Sequence, residues 1–237
     1  SRPDSFPAPV TRPGLFSFPV ARVSGLCHTP TLPPRQSQPI KPMLAYDKTL
    51  RNVLSMPYEA LTKARLTKAL RRLSELATAE GLVLEVALYG GAVFTLVYGS
   101  RETTKDVDAI IKPAEAGVRL VRQVATEQGL ADNWLNDDVR QFLSPTGERR
   151  PYPAQDFSPG LRVTIPTAAY LLALKLNSCR APLPGHLGDE ADILFLLAHI
   201  KPASATDVEA IHDRFFPRAG LRAEATELIE RYLEGGK

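Results

Sequence analysis

The stretch that decides the fold is residues 88–111, LYGGAVFTLVYGSRETTKDVDAII. It begins at the end of an apolar run and passes through Gly90 and Gly91 into a second apolar run. It finishes in a strand-like segment that carries Asp106 and Asp108. Because side chains at positions i and i+2 of a β-strand point to the same side, the two carboxylates are expected side by side. The stretch therefore predicts a strand, a glycine turn, a helix and a second strand that bears an acidic pair.

The sequence on both sides of this stretch alternates between helical and strand patterns. Residues 82–89 (LVLEVALY) have the composition of a buried strand, and Gly81 separates them from a leucine-rich helical pattern. We predict strands over residues 82–89, 106–111 and 161–165, helices over residues 58–79, 92–99, 114–129, 167–179, 189–199, 204–215 and 221–234, and a turn with a short helix over residues 132–143. This order predicts an α+β (α/β-like) fold, in which a small mixed sheet is followed by a helical C-terminal half.

Residues 1–42 differ in composition from the rest of the chain. They contain 10 of the 21 prolines, and five basic side chains against one acidic side chain. Because proline removes backbone donors and disfavours helix at the preceding residue, we predict a disordered leader here. A translated or non-native extension is the favoured interpretation, and a transit peptide is the alternative. The predicted organisation is then this leader, a core over residues 43–166 and a helical part over residues 167–237.

Composition excludes several classes of protein. No apolar run of about 18 residues is present, which argues against a membrane-spanning helix. Two cysteines and four histidines show neither a disulfide pattern nor zinc-ligand spacing, so we expect a reduced, cytoplasmic setting. Outside the leader, 24 basic and 25 acidic residues nearly balance, so no general affinity for nucleic acid follows from net charge.

The acidic pair and the glycines together indicate phosphate chemistry. Two adjacent carboxylates repel each other unless water or a cation lies between them, and Mg²⁺ uses such oxygen ligands together with substrate phosphates. Glycines between a strand and a helix let a phosphate approach the backbone amides. The plainer alternatives are a solvated strand end for Asp106 and Asp108, and a tight turn for Gly90 and Gly91.

Four segments resemble one family across residues 60–232. GGAVFTLVYGSRETTKDVDAII is similar to the glycine motif and acidic motif of the nucleotidyltransferase superfamily of the DNA polymerase beta type. DNWLNDDVRQFL, LRVTIPTAAYLLALKLNSCR and LGDEADILFLL are similar to segments of a related uncharacterised bacterial nucleotidyltransferase-like family. Within that superfamily, the resemblance is to the AbiEii-like toxins as well as to this uncharacterised family. The resemblance implies a nucleotidyltransferase core.

The resemblance also implies a set of site residues. Asp106 and Asp108 would be catalytic and would hold Mg²⁺ or Mn²⁺, and Lys175 would be catalytic and reach the triphosphate of an NTP. The implied nucleotide-binding residues are Gly90, Gly91, Ser100, Arg101, Thr104, Lys175, Asp189 and Asp192, with Asp189 and Asp192 supporting Lys175.

The residues themselves leave alternatives open at two of these positions, Lys175 and Asp189, and at Arg180 and Trp134. Lys175 is a lone cation in the apolar run AAYLLALKL, so it needs a partner if buried, or it snorkels to the surface. Asp189 is also a suitable N-cap residue, and Arg180 either binds phosphate or caps a helix end. Trp134 is expected to be a packing anchor, with base stacking as the alternative.

Two departures from the family pattern bear on catalysis. Many active members have a third carboxylate on a later strand, whereas LRVTI has none; Asp137, Asp138 and Asp156 are near in sequence only. Gly188 also stands where a basic residue often precedes the later acidic motif.

The expected function is Mg²⁺-dependent transfer of an NMP from an NTP to a hydroxyl of RNA, such as a tRNA end, or of a protein. A toxin–antitoxin or phage-defence role, with a cognate antitoxin or toxin as partner, would follow. The alternative is a catalytically degenerate fold that binds a nucleotide or a partner protein. The near-neutral charge argues only weakly against RNA, because a local basic face such as Lys63, Arg65, Lys68, Arg71 and Arg72 would suffice as a contact.

Overall fold

A computed structural model describes residues 60–153, 157, 159–181 and 188–235 of the chain. The predicted leader over residues 1–42 and the first residues of the predicted core lie outside the described residues. Within the described part, no helix has both the length and the apolar character needed to cross a membrane.

A five-stranded mixed sheet lies at the centre of the described part. Its strands are β2 (Leu84–Leu88), β4 (Val107–Lys112), β5 (Leu135–Asn136), β6 (Arg149–Pro151) and β7 (Leu161–Pro166), in the order β5-β4-β2-β7-β6. β2 is antiparallel to β4 and parallel to β7, β5 is parallel to β4, and β6 is antiparallel to β7. A second, two-stranded sheet pairs β1 (Leu61–Thr62) with β3 (Thr103–Thr104). The predicted combination of helices with a small mixed sheet is confirmed.

The described residues form seven α-helices. They are α1 (Lys63–Ala79), α2 (Gly90–Val93), α3 (Ala114–Gln128), α4 (Ala168–Ser178), α5 (Glu190–Ile200), α6 (Ala205–Phe215) and α7 (Ala223–Gly235). Helices α4 to α7 follow β7, as the predicted helical C-terminal half requires. Thr62 caps α1 by accepting the backbone N–H of Arg65 at 3.3 Å, and Ser204 and Asp207 form a capping box at α6.

The two faces of the five-stranded sheet have different coverings. On the first face, β-strand residues such as Val86 and Val107 join a hydrophobic cluster with α1, α3 and α5. On the second face, Ala87 and Ile110 pack against Tyr170 of α4 and Phe215 of α6. Because side chains alternate along β4, Asp108 lies on this second face with Ile110.

Four local predictions need correction. The helix predicted from residue 58 begins only at Lys63, since Leu61 and Thr62 pair with β3. The helix predicted over residues 92–99 begins at Gly90 and continues from Phe94 to Tyr98 as a π-helix, in which Gly99 donates its N–H to the Phe94 carbonyl. Residues 132–143 contain strand β5 before a 3₁₀ helix, Asp138–Phe142. No strand is predicted between residues 143 and 161, where the structure has strand β6.

Trp134 is the packing anchor that the sequence predicts. Its side chain is buried, and the indole Nε1 donates a hydrogen bond to the Val121 carbonyl of α3 at 3.1 Å. The Trp134 carbonyl accepts the backbone N–H of Val107 at 2.8 Å, directly before Asp108. The residue therefore links α3 to the first position of β4.

Candidate functional site

The acidic pair lies at the start of β4. Asp106 is exposed immediately before the strand, and Asp108 is half-buried at its second position, level with Asn136 of β5. Burial raises the pKa of the Asp108 carboxyl, and the negative charges of Asp106 and Asp138 raise it further, against the opposing effect of Lys175 and Arg180. A cation between the two carboxylates would relieve this repulsion.

The glycine turn lies directly against the acidic pair. Gly90 has a φ of +55°, which is the left-handed region, and a Cβ there would overlap Oδ2 of Asp108. A Cβ at Gly91 would overlap Oγ1 of Thr104. Tyr89 donates its N–H to the Asp108 carbonyl at 2.8 Å, which holds the turn beside β4. The missing side chains therefore allow the turn backbone to approach the carboxylates.

An ionic network lies next to the turn, since a Cβ at Gly91 would be 3.4 Å from Arg101 Nη1. Lys175 Nζ of α4 lies 2.7 Å from Asp189 Oδ1 and 2.9 Å from Asp192 Oδ2, with side-chain exposures of 11%, 1% and 2%. Arg101 donates Nε and Nη2 to the two carboxylate oxygens of Asp192, at 2.7 and 2.6 Å. Arg180 donates Nε to Asp189 Oδ2 at 3.1 Å. Three cations thus share two carboxylates and leave a net positive charge beside the acidic pair.

This network decides two of the open alternatives. Lys175 has the partners that a buried ammonium needs, so the snorkelling interpretation is wrong. Asp189 stands at the N-cap position of α5 but forms no side-chain cap hydrogen bond, because its carboxylate binds Lys175 and Arg180. Burial acts to raise the pKa of Asp189, and the charges and hydrogen bonds of Lys175 and Arg180 outweigh it and lower the pKa.

The glycine turn, the acidic pair and part of the network line one cleft of about 300 Å³. Eight of the site residues that the family resemblance implies line this cleft: Gly90, Gly91, Arg101, Thr104, Asp106, Asp108, Lys175 and Asp189. Asp192 stands behind the lining and reaches the cleft through Lys175 and Arg101. Ser100 does not line the cleft: it is exposed, and its backbone N–H donates to the Phe94 carbonyl at 3.2 Å. The prediction that Ser100 contacts a ligand in this cleft is therefore not supported.

The cleft also contains residues that the sequence reasoning missed. Thr103, Lys105 and Gly188 line it, together with Ala60. Lys105 stands directly before Asp106 in the sequence, and this neighbouring position is the one sequence signal that could have identified Lys105 as a site residue. Asp138 follows Asn136 by two residues, and its charge reaches Asp108 because β5 lies beside β4. Only the sheet register shows this proximity.

The residues present fit a divalent cation with few protein ligands. Within the described ranges, no group of three or more His, Cys, Asp or Glu side chains is arranged to hold a metal ion. Two carboxylates on one side of a strand match Mg²⁺, which retains water and binds substrate phosphates. β7 contributes Arg162 and Thr164 to this face of the sheet, and Asp156 lies outside the described residues.

The cleft therefore combines two carboxylates, a close backbone turn and a net positive side-chain cluster. Such an arrangement suits a metal-bound polyphosphate, in which the cation lies against the carboxylates and the phosphate oxygens face the turn and the basic side chains. The chain itself matches no protein-family model, no curated protein and no solved structure among those compared with it.

Proposed function

We propose that the protein is an Mg²⁺-dependent nucleotidyltransferase, which transfers an NMP from an NTP to a hydroxyl group and releases pyrophosphate. The observation that carries this proposal is the position of Gly90 against the Asp108 carboxylate, in a cleft that Lys175 and Arg180 also line. The proposed metal site and the proposed phosphate site would thus adjoin each other, as transfer from a nucleoside triphosphate requires.

Each group in the cleft has a role in this proposal. Asp106 and Asp108 would hold the metal ion, which would neutralise phosphate charge and align the reacting oxygens. Gly90 and Gly91 would let the phosphates approach the backbone. Lys175 and Arg180 would face the phosphates with the net positive charge of the network.

Arg101 has a divided role. Its Nε and Nη2 bind Asp192, whereas Nη1 lies near the position of a Cβ on Gly91. It would therefore fix the position of Asp192 with two nitrogens and face a phosphate with the third. Thr104 holds the segment before the acidic pair, because its Oγ1 donates to the Asp106 carbonyl at 3.1 Å.

Asp138 is the candidate for the third carboxylate of the family pattern. It is exposed on the 3₁₀ helix that follows β5, and its charge acts on Asp108. In the proposed reaction it would orient or deprotonate the attacking hydroxyl. Asp138→Asn should therefore reduce transfer more than it reduces nucleotide binding.

The experiment incubates the full chain with each NTP radiolabelled at the α-phosphate, Mg²⁺ or Mn²⁺, and total cellular RNA and protein. We expect label on RNA or on protein, and we expect the Asp106→Asn/Asp108→Asn variant to lose it. Asp137→Asn is the matched control, because Asp137 is exposed nearby and pairs with Arg140 at the surface. Equal labelling by wild type and the double variant would refute the site assignment.

A second candidate is a binding module that holds a nucleotide without transferring it. The described residues favour it in one respect, since they hold no group of three acidic or other metal-ligating side chains. This candidate predicts that NTP and Mg²⁺ raise the melting temperature of wild type but not of the double variant, with no label transferred to any acceptor. The toxin–antitoxin or phage-defence role, and a cognate partner, stay predictions of the family resemblance.

A further inference from the structure

The second face of the sheet carries a row of charged residues beyond the carboxylates. Lys112 of β4 lies opposite Glu85 of β2, and Glu85 lies opposite Arg162 of β7. Lys112 is on the same side of β4 as Asp108, because the two positions differ by four. All three charged residues of this row are exposed. The face that carries the acidic pair therefore also carries cations at its far end.

These residues line a cleft of about 460 Å³, which we name the basic cleft. Its charged lining residues are Lys112, Arg149, Arg162 and Glu85, and its uncharged lining includes Ala87, Ile110, Gly147 and Thr164. Three cations against one carboxylate give it a net positive charge. Within the part of the chain that the structure describes, neither Lys112 nor Arg162 forms an ion pair.

Arg149 is the cation of the basic cleft that acts on Tyr89. It stands level with Pro166 at the start of β6. Burial raises the pKa of the Tyr89 hydroxyl, and Arg149 opposes this increase. Tyr89 in turn donates its backbone N–H to the Asp108 carbonyl at 2.8 Å, so one cation of the cleft lies near a residue that contacts β4 beside the acidic pair.

The spacing of the cations fits an extended anion. Lys112 and Arg162 are separated by two strand spacings, about 10 Å, and Lys112 lies about 13 Å along β4 from Asp108. The Lys175 network is at the opposite end of β4, beside Gly90. The acidic pair therefore lies between two groups of cations, one suited to a triphosphate and the other to the chain that receives the nucleotide.

We propose that the basic cleft binds the phosphodiester backbone of a single-stranded RNA, the acceptor whose hydroxyl reaches Asp106 and Asp108. The acceptor role rests on the proposed transferase function, whereas RNA binding by the cleft does not. RNA supplies one negative charge per nucleotide, whereas a protein segment matches these cations only if it is acidic. A protein acceptor is therefore the alternative outcome of the test.

This placement differs from the basic face predicted on α1. Helix α1 packs its leucines into the cluster on the first face of the sheet, away from Asp108. Arg72 of that face is engaged by Glu75 and Glu127. Lys63 and Lys68 are exposed on α1 and provide a matched control, since replacing them also removes two positive charges.

The test measures binding of the full chain to a short, fluorescein-labelled single-stranded RNA of mixed sequence, by fluorescence anisotropy. Lys112→Ala/Arg162→Ala is expected to weaken binding about tenfold or more, because charge-assisted contacts to phosphate are lost. The slope of log K against log salt should fall by about 1 for each contact removed. Lys63→Ala/Lys68→Ala should bind the RNA like wild type.

The outcomes separate this inference from the transferase proposal. No RNA binding by wild type, or equal loss in the α1 control, overturns the basic cleft as an RNA site. Label transferred to protein by Lys112→Ala/Arg162→Ala as efficiently as by wild type overturns the acceptor role of the basic cleft, while the transferase proposal stands. Selective loss of RNA binding in Lys112→Ala/Arg162→Ala supports the inference even if no NTP is transferred. Arg149 is left intact in this test because its charge also acts on Tyr89.

Discussion

Gly90 and the Asp108 carboxylate occupy adjoining space, and this contact is the most sensitive point of the candidate site. We expect Gly90→Ala to lower the free energy of unfolding by about 1–3 kcal/mol, since alanine is strained at positive φ. The new Cβ would also displace the Asp108 carboxylate, so label transfer should fall at least tenfold. Chemical denaturation and the radiolabel assay measure the two effects.

Gly129→Ala is the control for this substitution. Gly129 has a φ of +61° with nothing within 4 Å of the Cβ position, so it tests strain without the displacement of a carboxylate. Both variants should lose stability, and only Gly90→Ala should lose transfer. Full activity in Gly90→Ala would mean that the turn is not part of the site.

Asp108 should reduce the stability of the folded protein in the absence of a metal ion. Its pKa is raised in the folded state, so ionisation at neutral pH costs free energy, and this cost disappears as the pH falls toward the ordinary value of 3.8. We therefore expect Asp108→Asn to melt at a higher temperature than wild type at pH 7, with the difference narrowing in acid. Thermal melts across this pH range measure it.

Metal ions give this prediction a second readout. Mg²⁺ should raise the melting temperature of wild type and leave that of Asp108→Asn unchanged, because the variant lacks one of the two ligands. Asp137→Asn, which removes a surface carboxylate from the same region, should respond like wild type. A melting temperature of Asp108→Asn below that of wild type at pH 7 would contradict the electrostatic account.

For single residues, the sequence predicted which side chains carry charge near the candidate site better than it predicted which side chains touch each other. Alternation along a strand was enough to predict that Asp106 and Asp108 lie close together, and both line the cleft although Asp106 stands just before β4. The cost of a buried ammonium was enough to predict a partner for Lys175. Ser100 was placed in the site by resemblance alone, and its exposed position beyond the π-helix depends on how that helix ends. The role of Asp138 depends on strand pairing, which no short-range pattern specifies.

The ionic network connects three elements: α4 through Lys175, α5 through Asp192, and the segment before β3 through Arg101. We expect Asp192→Ala to destabilise the protein by about 3–5 kcal/mol, because two cations would lose a buried partner. Urea denaturation measures the change. Glu190→Ala, on the same helix, breaks an exposed pair with Arg231 and should cost about 1 kcal/mol or less.

Equal losses in these two variants would show that the network is no stronger than a surface ion pair. A nucleotide-binding assay adds a readout beyond stability. Asp192→Ala should also weaken NTP binding, since Lys175 and Arg101 would no longer be held at the cleft. Glu190→Ala should bind NTP like wild type.

Elements with strong periodicity were predicted to within a few residues, and short elements were not. β2 and β7 are apolar runs that end near glycine or proline, and α3 has a complete amphipathic pattern. β6 has the sequence RRP, which lacks alternation and contains a proline that only an edge strand tolerates. The two-residue strands β1, β3 and β5 are defined by their partners rather than by their own sequence.

The helical C-terminal half and the sheet share one hydrophobic cluster. It contains Val86 and Val107 of the sheet together with Leu172, Leu176 and Leu196 of the helices. The division into residues 43–166 and 167–237 stays a prediction, and truncation tests it. We expect a chain that ends at Pro166 to lack a cooperative thermal transition, because the helices that bury these strand residues would be missing.

Near-ultraviolet circular dichroism of the truncated and full chains measures this difference in packing. The full chain is the reference and should show a sharp transition with fixed aromatic signals. A cooperative transition in the truncated chain would show that the first part folds alone, as the predicted division has it.

The net charge of the chain gives no information on where charged residues cluster on its surface. The near balance of acidic and basic residues outside the leader predicted no general affinity for nucleic acid, and it gave no sign of the basic cleft. Lys112, Arg149 and Arg162 are far apart in sequence, and only the order of strands β4, β2, β7 and β6 brings them to one face. Topology of this kind follows from long-range pairing rather than from local pattern.

Trp134 is also an intrinsic fluorescent probe of the region around β4. It is the one tryptophan in the chain, so excitation near the red edge of protein absorbance selects a single indole. That indole is shielded from water, hydrogen-bonded to α3, and attached through its own carbonyl to the first residue of β4. Its emission should be blue-shifted and resistant to aqueous quenchers. A spectral change on adding a divalent ion or a nucleotide would then be registered, without any attached dye, next to the strand that carries the carboxylates.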